Sequence, residues 1–339
     1  MRFAVLLVAL LISGCSWLAV ATAPAKVPQA SSAEGQAAAA QFWDVLHGGR
    51  YEQIDAALET HMRVLVKAPN DALTLAHPGW LNGWKFSERA RLPPAARIVE
   101  HATQARRYFD EAVLLAPDEA RYLGFAAAFM MVEACILKNE KQLRQGYFRM
   151  KDAVSLWPEF NLFTSGYSMS SNATDSDAFR EGLAQQWETL DRCFGERVSR
   201  QATDLSKYLA LETQTGVKRV CWNSWIAPHN FEGFFLNFGD MLARANDLPN
   251  ARTMYQTARL SRTYPAWPYR EVLERRLAQP DALPQRLNQL AVGESEWVSM
   301  VSSSFSCMGC HQRAASPVSH NPFPIEAVGE GKFETAARR

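Results

Sequence analysis

An excess of charge of either sign is missing from this sequence: 36 lysines and arginines stand against 35 aspartates and glutamates in 339 residues. There is also no basic stripe interleaved with aromatics, so nothing argues for a nucleic-acid partner. Apolar runs long enough to span a bilayer are missing beyond the N-terminus, and no further membrane crossing is expected. No convincing alternation of apolar and polar residues marks a strand. No hydrolase constellation assembles either. Gly166-Tyr167-Ser168-Met169-Ser170 lacks the last glycine and the strand context of a nucleophile elbow, and Asp175 and Asp177 read as a solvated loop. Cysteines number only six, which is no disulfide framework for a chain that can bury a core without one.

What is present begins at the N-terminus. Met1-Arg2 is a short positive end and Phe3 to Ile12 an uncharged apolar run, the pattern of a signal peptide. It ends in Leu11-Ile12-Ser13-Gly14-Cys15, which resembles the lipobox of bacterial lipoproteins. The resemblance implies cleavage of residues 1–14, acylation of Cys15 and, with Ser16 rather than aspartate following, residence on the periplasmic face of the outer membrane. A competing cleavage after Ala21-Thr22-Ala23 would place Pro24 just beyond the scissile bond. Either cut exports the chain. Residues 15–37, rich in Ala, Ser and Pro, read as a tether to the anchor.

From residue 38 to 285 the pattern is helical almost throughout, with apolar residues recurring three and four apart. In Glu232 to Thr263 the residues Phe235, Phe238, Gly239, Leu242, Ala251, Tyr255 and Ala258 fall at the spacing of a tetratricopeptide repeat. Gly239 and Ala251 would let two helices approach, Phe238 and Tyr255 would fill the space beside them, and Asn246 to Pro249 would make the turn. The pattern departs at its end, where proline falls at Pro265 instead of position 263. Weaker matches end at Pro117 (Ala105, Phe109, Ala112) and Pro158 (Ala134, Leu137, Ala153), and a poorer one runs from Ala57 to Pro69. The fold class expected is all-α, tetratricopeptide-repeat-like helical hairpins; an unrelated helical bundle is the alternative.

The chemistry is concentrated in Cys307-Met308-Gly309-Cys310-His311. On a helix the two thiols lie one turn apart on one face, able to form thioethers with the two vinyl groups of one porphyrin, with His311 reaching the iron. The motif resembles the attachment site of c-type cytochromes and implies one covalent haem c. Leu287, Leu290, Trp297, Met300, Val301 and Phe305 are spaced for one apolar helical face running into it, which defines a segment 286–313 followed by an irregular tail, 314–339. A zinc site would need His320 and a further ligand, and a thioredoxin-type pair would need a preceding strand.

The 28 residues after His311 contain no methionine, so the small cytochrome c arrangement, with its ligand far downstream, is not expected. The sixth iron position is left to His320, Met300 or His229, or open as in cytochromes c′. So short a tail cannot bury a haem, so the helical body is expected to supply the pocket, with Trp222, Trp225, Phe231, Phe234, Phe235 and Phe238 as candidate wall. A Cys193–Cys221 disulfide suits an oxidising compartment and leaves Cys135, in an apolar stretch, as a buried thiol, with the connectivity open at this level. The resemblance implies a lipid-anchored monohaem carrier passing electrons to periplasmic or membrane-associated redox proteins, more a carrier or binding protein than a stand-alone enzyme. The alternative is a helical-repeat scaffold whose haem is a sensory, ligand-binding or structural cofactor.

Overall fold

The computed structural model describes residues 25–93, 97–201, 204–213, 215–222, 231–289 and 298–313. Among them every regular element is a helix and no extended strand occurs. Five successive hairpins form the body: α1 (Ala33–Gly48) with α2 (Ile54–Lys67), α3 (Ala72–Ser87) with α4 (Ile98–Leu115), α5 (Ala120–Leu137) with α6 (Glu140–Leu156), α7 (Pro158–Met169) with α8 (Asp177–Phe194), and α9 (Phe231–Arg244) with α10 (Leu248–Ala258). Shorter α11 (Arg270–Ala278), α12 (Leu283–Leu287) and the single turn α13 (Met308–His311) follow.

The hairpins repeat because the same local chemistry recurs at their ends. Ser32, Asp71, Asn139, Ser176 and Asp247 each accept backbone N–H bonds at a helix start, which satisfies donors that the helix leaves unpaired. The second helices of the first three hairpins stop before Pro69, Pro117 and Pro158. The residue preceding each proline has left helical geometry in nearly the same way: Ala68 at φ −130°, ψ 71°, Ala116 at −137°, 71° and Trp157 at −148°, 83°. Proline disfavours the helical region for the residue before it, so each helix ends at one register and the next begins at one angle.

The small residues at the expected hairpin positions are buried, with Ala57, Ala105, Ala112, Ala153, Ala251 and Ala258 all enclosed. Gly239 lies directly under the ring of Tyr255, so closely that a Cβ there would overlap the ring. Leu137 does not join this pattern. It is exposed at the last turn of α5 together with Ile136 and Cys135, so Cys135 is a surface thiol and not a buried one. The reason is that α5 is apolar around its whole circumference, and periodicity cannot pick its inner face. By length and composition α5 could cross a membrane, yet it packs between α4, α6 and α7. Its buried Glu133 is bonded by Thr103, Arg106 and Gln142 at 2.5 Å each.

Two boundaries differ from expectation. The first helix starts at Ala33 rather than at 38, because alanine is the best helix former and Gly35, Ala38 and Ala39 are buried in close contacts that need no large side chain. Between α8 and α9 the described chain has only 3₁₀ turns, Ser206–Leu211 and Val217–Val220. That stretch is stapled by a Cys193–Cys221 disulfide with a Cα–Cα distance of 5.7 Å. It is further fixed by Tyr208, whose hydroxyl donates to the Cys221 carbonyl at 2.9 Å and whose carbonyl accepts from the Trp222 indole at 2.7 Å.

Candidate functional site

The segment leading into the motif is not the continuous helix that its apolar spacing predicts. Met300–Ser302 is a 3₁₀ turn, residues 304–307 are turns, and only Met308–His311 closes a helical turn. Serines are the cause. Ser303 Oγ donates to the Met300 carbonyl at 2.7 Å and accepts from the Phe305 amide at 3.3 Å, offering the backbone partners that compete with helix bonds. Leu290 and Trp297 lie outside the described residues.

A buried charge cluster anchors the start of this segment. Asp240 on α9 accepts from the Met300 amide at 2.9 Å, from Tyr255 at 2.8 Å and from the Arg276 guanidinium at 3.1 Å. Arg276, fully buried, also donates to the Val298 carbonyl at 2.8 Å. One carboxylate therefore joins α9, α10, α11 and the approach to the motif, and its desolvation is compensated on all sides.

The motif itself is held from across the molecule. Glu88, at the end of α3 and fully buried, accepts from the Met308 amide at 3.0 Å, at an end of the turn where the exposed amides favour an acceptor; burial raises its carboxyl above the ordinary range, against the hydrogen bonds it receives. Trp267 donates to the Gly309 carbonyl at 3.1 Å, Tyr167 on α7 to the Ser306 carbonyl at 3.3 Å, and Tyr269 to the Gln312 side chain at 2.8 Å. The Arg313 amide donates to the His47 carbonyl at the end of α1 at 3.0 Å. Met308 enters the core formed by Phe42, Leu81 and Trp84, while Cys310 enters the core of α9. The turn thus lies between the first and last hairpins and joins them.

Within the turn, the Cys310 and His311 amides both donate to the Cys307 carbonyl at 3.0 Å, so the two cysteines stand one turn apart as the spacing predicts. Both are free thiols. Cys307 and His311 keep part of their surface open, whereas Cys310 is buried. Gly233 on α9 closes one side: a Cβ there would come 2.7 Å from Cys310 Sγ and 2.6 Å from the Gly309 carbonyl oxygen. Met300 is packed beneath Gly309, its Cε 2.7 Å from where a Cβ would stand.

Desolvation sets the charge states. It raises both thiols far above the ordinary cysteine range, helped at Cys307 by the charge of Glu88 and at Cys310 by Cys307. They are therefore neutral and weak nucleophiles, which argues against a thiol–disulfide exchange role. Burial pushes His311 down to about 4, leaving a neutral imidazole, the form that ligates a metal. His47 is also held well below its ordinary value, by burial and then by the charges of Arg313 and His311. Burial raises the Tyr51, Tyr167 and Tyr269 hydroxyls, and at each the charge of Cys307 adds to the rise.

The other candidates fare differently. Phe231, Phe234, Phe235, Phe238 and Trp222 are plain core, packed on one another and on Tyr208, Phe163 and Trp187. What α9 turns toward the motif is Gly233. Cys15, Trp225, His229 and His320 lie outside the described residues. Among the described residues no group of three or more His, Cys, Asp or Glu is arranged to hold a metal ion. Glu88, Gly233, Asp240 and His47 were not legible as site residues. Glu88 and Asp240 look like ordinary solvated acids in a linear pattern, and His47 before Gly48-Gly49 looks like a helix end. No known protein family, curated protein or solved structure matches the chain.

Proposed function

We propose that this chain is a periplasm-facing monohaem c-type cytochrome lipoprotein, an electron carrier whose helical hairpins also present a surface to a partner redox protein. The observation that carries the reading is the set Cys307, Cys310 and His311: two reduced thiols one turn apart, followed by an imidazole held neutral. Those are the donors that covalent attachment and iron ligation require. The fit extends to compartment. Cys193 and Cys221 are oxidised while the motif thiols are not, which suits export of a chain whose N-terminus resembles a lipobox.

A Cβ at Gly233 would overlap Cys310 Sγ and the Gly309 carbonyl, so α9 packs directly on the Cys310 side of the motif. When bound, the haem supplies a one-electron iron couple. The chain's own residues then hold it through Cys307, Cys310 and His311 and orient the motif through Glu88, Trp267 and Asp240. The second reading, a helical-repeat interaction scaffold whose haem senses a ligand or stabilises the fold, draws on Val66, Leu114 and Phe148, apolar side chains left exposed on the hairpins.

The test is export of the full chain in a periplasm with c-type maturation, followed by a denaturing gel stained for haem and optical spectra. A haem-stained band that is lost in Cys307→Ser/Cys310→Ser, with a reducible low-spin spectrum, is the expected result. A high-spin spectrum that shifts with carbon monoxide favours the second reading, and an unstained wild-type band overturns both.

A further inference from the structure

We propose that the end of the molecule formed by the last turns of α2 and α4 rests on the lipid bilayer that the acyl chains of Cys15 enter, with Val27, Val66 and Leu114 as the side chains in contact with lipid. The inference rests on the reading of the chain as a lipoprotein and goes beyond it by naming the face turned to the membrane.

The segment expected to be a free tether is fastened to the body from Lys26 onward. Lys26 pairs with Glu111 on α4. The Gln29 amide donates to the Asn70 carbonyl at 2.9 Å, and its side-chain carbonyl accepts from the Asn70 amide at 3.1 Å. Ser31 donates to Asp71 at 2.7 Å, and Lys67 donates to Glu34 at 2.9 Å. The chain thus runs from the last turns of α4 to the end of α2, two helices that also touch where the Tyr108 hydroxyl meets Met62 Sδ at 3.0 Å. Cys15 stands eleven positions before Lys26, a reach of at most about 40 Å. This end of the body is therefore the one that an acyl anchor holds nearest the bilayer.

The same end presents uncovered apolar side chains. Val66 is 83% exposed, Val27 70% and Leu114 66%. Met62, one turn before Val66 on the same face of α2, is exposed as well. Val66 stands three residues before Pro69 and Leu114 three before Pro117, so the repeated helix ending puts both on corresponding last turns. Charge does not oppose the approach: of the acids nearby, Glu34, Glu59 and Glu111 are paired with Lys67, Arg63 and Lys26, leaving Asp118 on the turn after α4. A tethered surface meets the bilayer at high effective concentration, so a contact of a few side chains suffices there although it would be too weak alone. Phe148 is as exposed as Leu114 but stands on α6, a hairpin farther along, and is the natural reference.

The experiment uses the full exported, acylated chain in vesicles of phosphatidylethanolamine and phosphatidylglycerol. Cys135→Ser, which lacks the exposed thiol, is the blank. Val66→Cys, Leu114→Cys and Phe148→Cys, added to it singly at exposed positions that the fold tolerates, each carry an environment-sensitive fluorophore. Emission is compared with and without lipids bearing a nitroxide on the acyl chain. Labels at 66 and 114 are expected to be quenched by those lipids severalfold more than the label at 148, and to be shielded from iodide in the water. Labels at 66 and 114 quenched no more than that at 148 overturn the proposal and leave Val66 and Leu114 to a protein partner, as the scaffold reading has them. A mature chain whose mass shows no acyl group on Cys15 overturns the lipoprotein reading and the proposal with it, so mass and quenching tell the two failures apart.

Discussion

His77 and His61 form a buried pair that bears on stability and not on the motif. Each is held below its ordinary value by burial, His77 further by the charge of His61. The unfolded chain binds protons at these sites below about pH 6.5, where the folded chain binds fewer. Their contribution is therefore complete above about pH 6.5 and is lost as pH falls below it. Urea unfolding of the wild type at pH 7.5 and pH 5 is expected to show a loss of stability at the lower pH, and the loss is expected to shrink in His61→Leu/His77→Phe. An equal loss in both proteins would refute the assignment. At Gly233 the reason for glycine is contact: alanine would press on Cys310 Sγ and the Gly309 carbonyl. Gly233→Ala is expected to destabilise the chain by about 1–3 kcal/mol in urea unfolding and to reduce the yield of haem-stained protein, and an unchanged stability would contradict the contact.

At the scale of elements, much of the hairpin architecture was legible. Apolar spacing, buried alanines and the prolines at 69, 117 and 158 all mark features that recur in space. Gly239 and Tyr255 meet as their spacing predicts. The approach to the motif was not legible, because Met300, Val301 and Phe305 have helical spacing while the serines among them supply the bonds that prevent a helix. Cys135 was misplaced because no polar residue marks the outer face of α5 near its end. The partners of the motif were hidden for a different reason. Asp240, Arg276 and Glu88 are charged residues buried by tertiary contacts, and linear sequence carries no sign of which acid will be desolvated. Removing one member of the Asp240–Arg276 pair strands the other: Asp240→Ala is expected to cost about 3–5 kcal/mol by chemical denaturation. Asp240→Leu/Arg276→Met is expected to cost less than the single change, and the reverse order would contradict the view of Asp240 as the fixed point for Met300.

At the scale of the whole molecule, the turn Met308–His311 contacts both ends of the hairpin series, through α1 and α3 on one side and α7 and α9 on the other. The disulfide stands apart from that clasp, closing the irregular stretch before α9 across 28 positions. Cys193→Ser/Cys221→Ser is expected to lower stability by about 2–4 kcal/mol while leaving the spectrum of bound haem unchanged, since neither cysteine touches the motif. A spectral change in that variant would mean that the stretch it closes reaches the haem.

Whether Cys307 and Cys310 carry a haem decides the proposed function. The intact mass of the exported chain, measured by mass spectrometry under denaturing conditions beside Cys307→Ser/Cys310→Ser, tests this most directly. The expected result is a wild-type mass heavier by one haem and a double variant without that increment. A wild-type mass with no haem, or a double variant that still retains one, would contradict it.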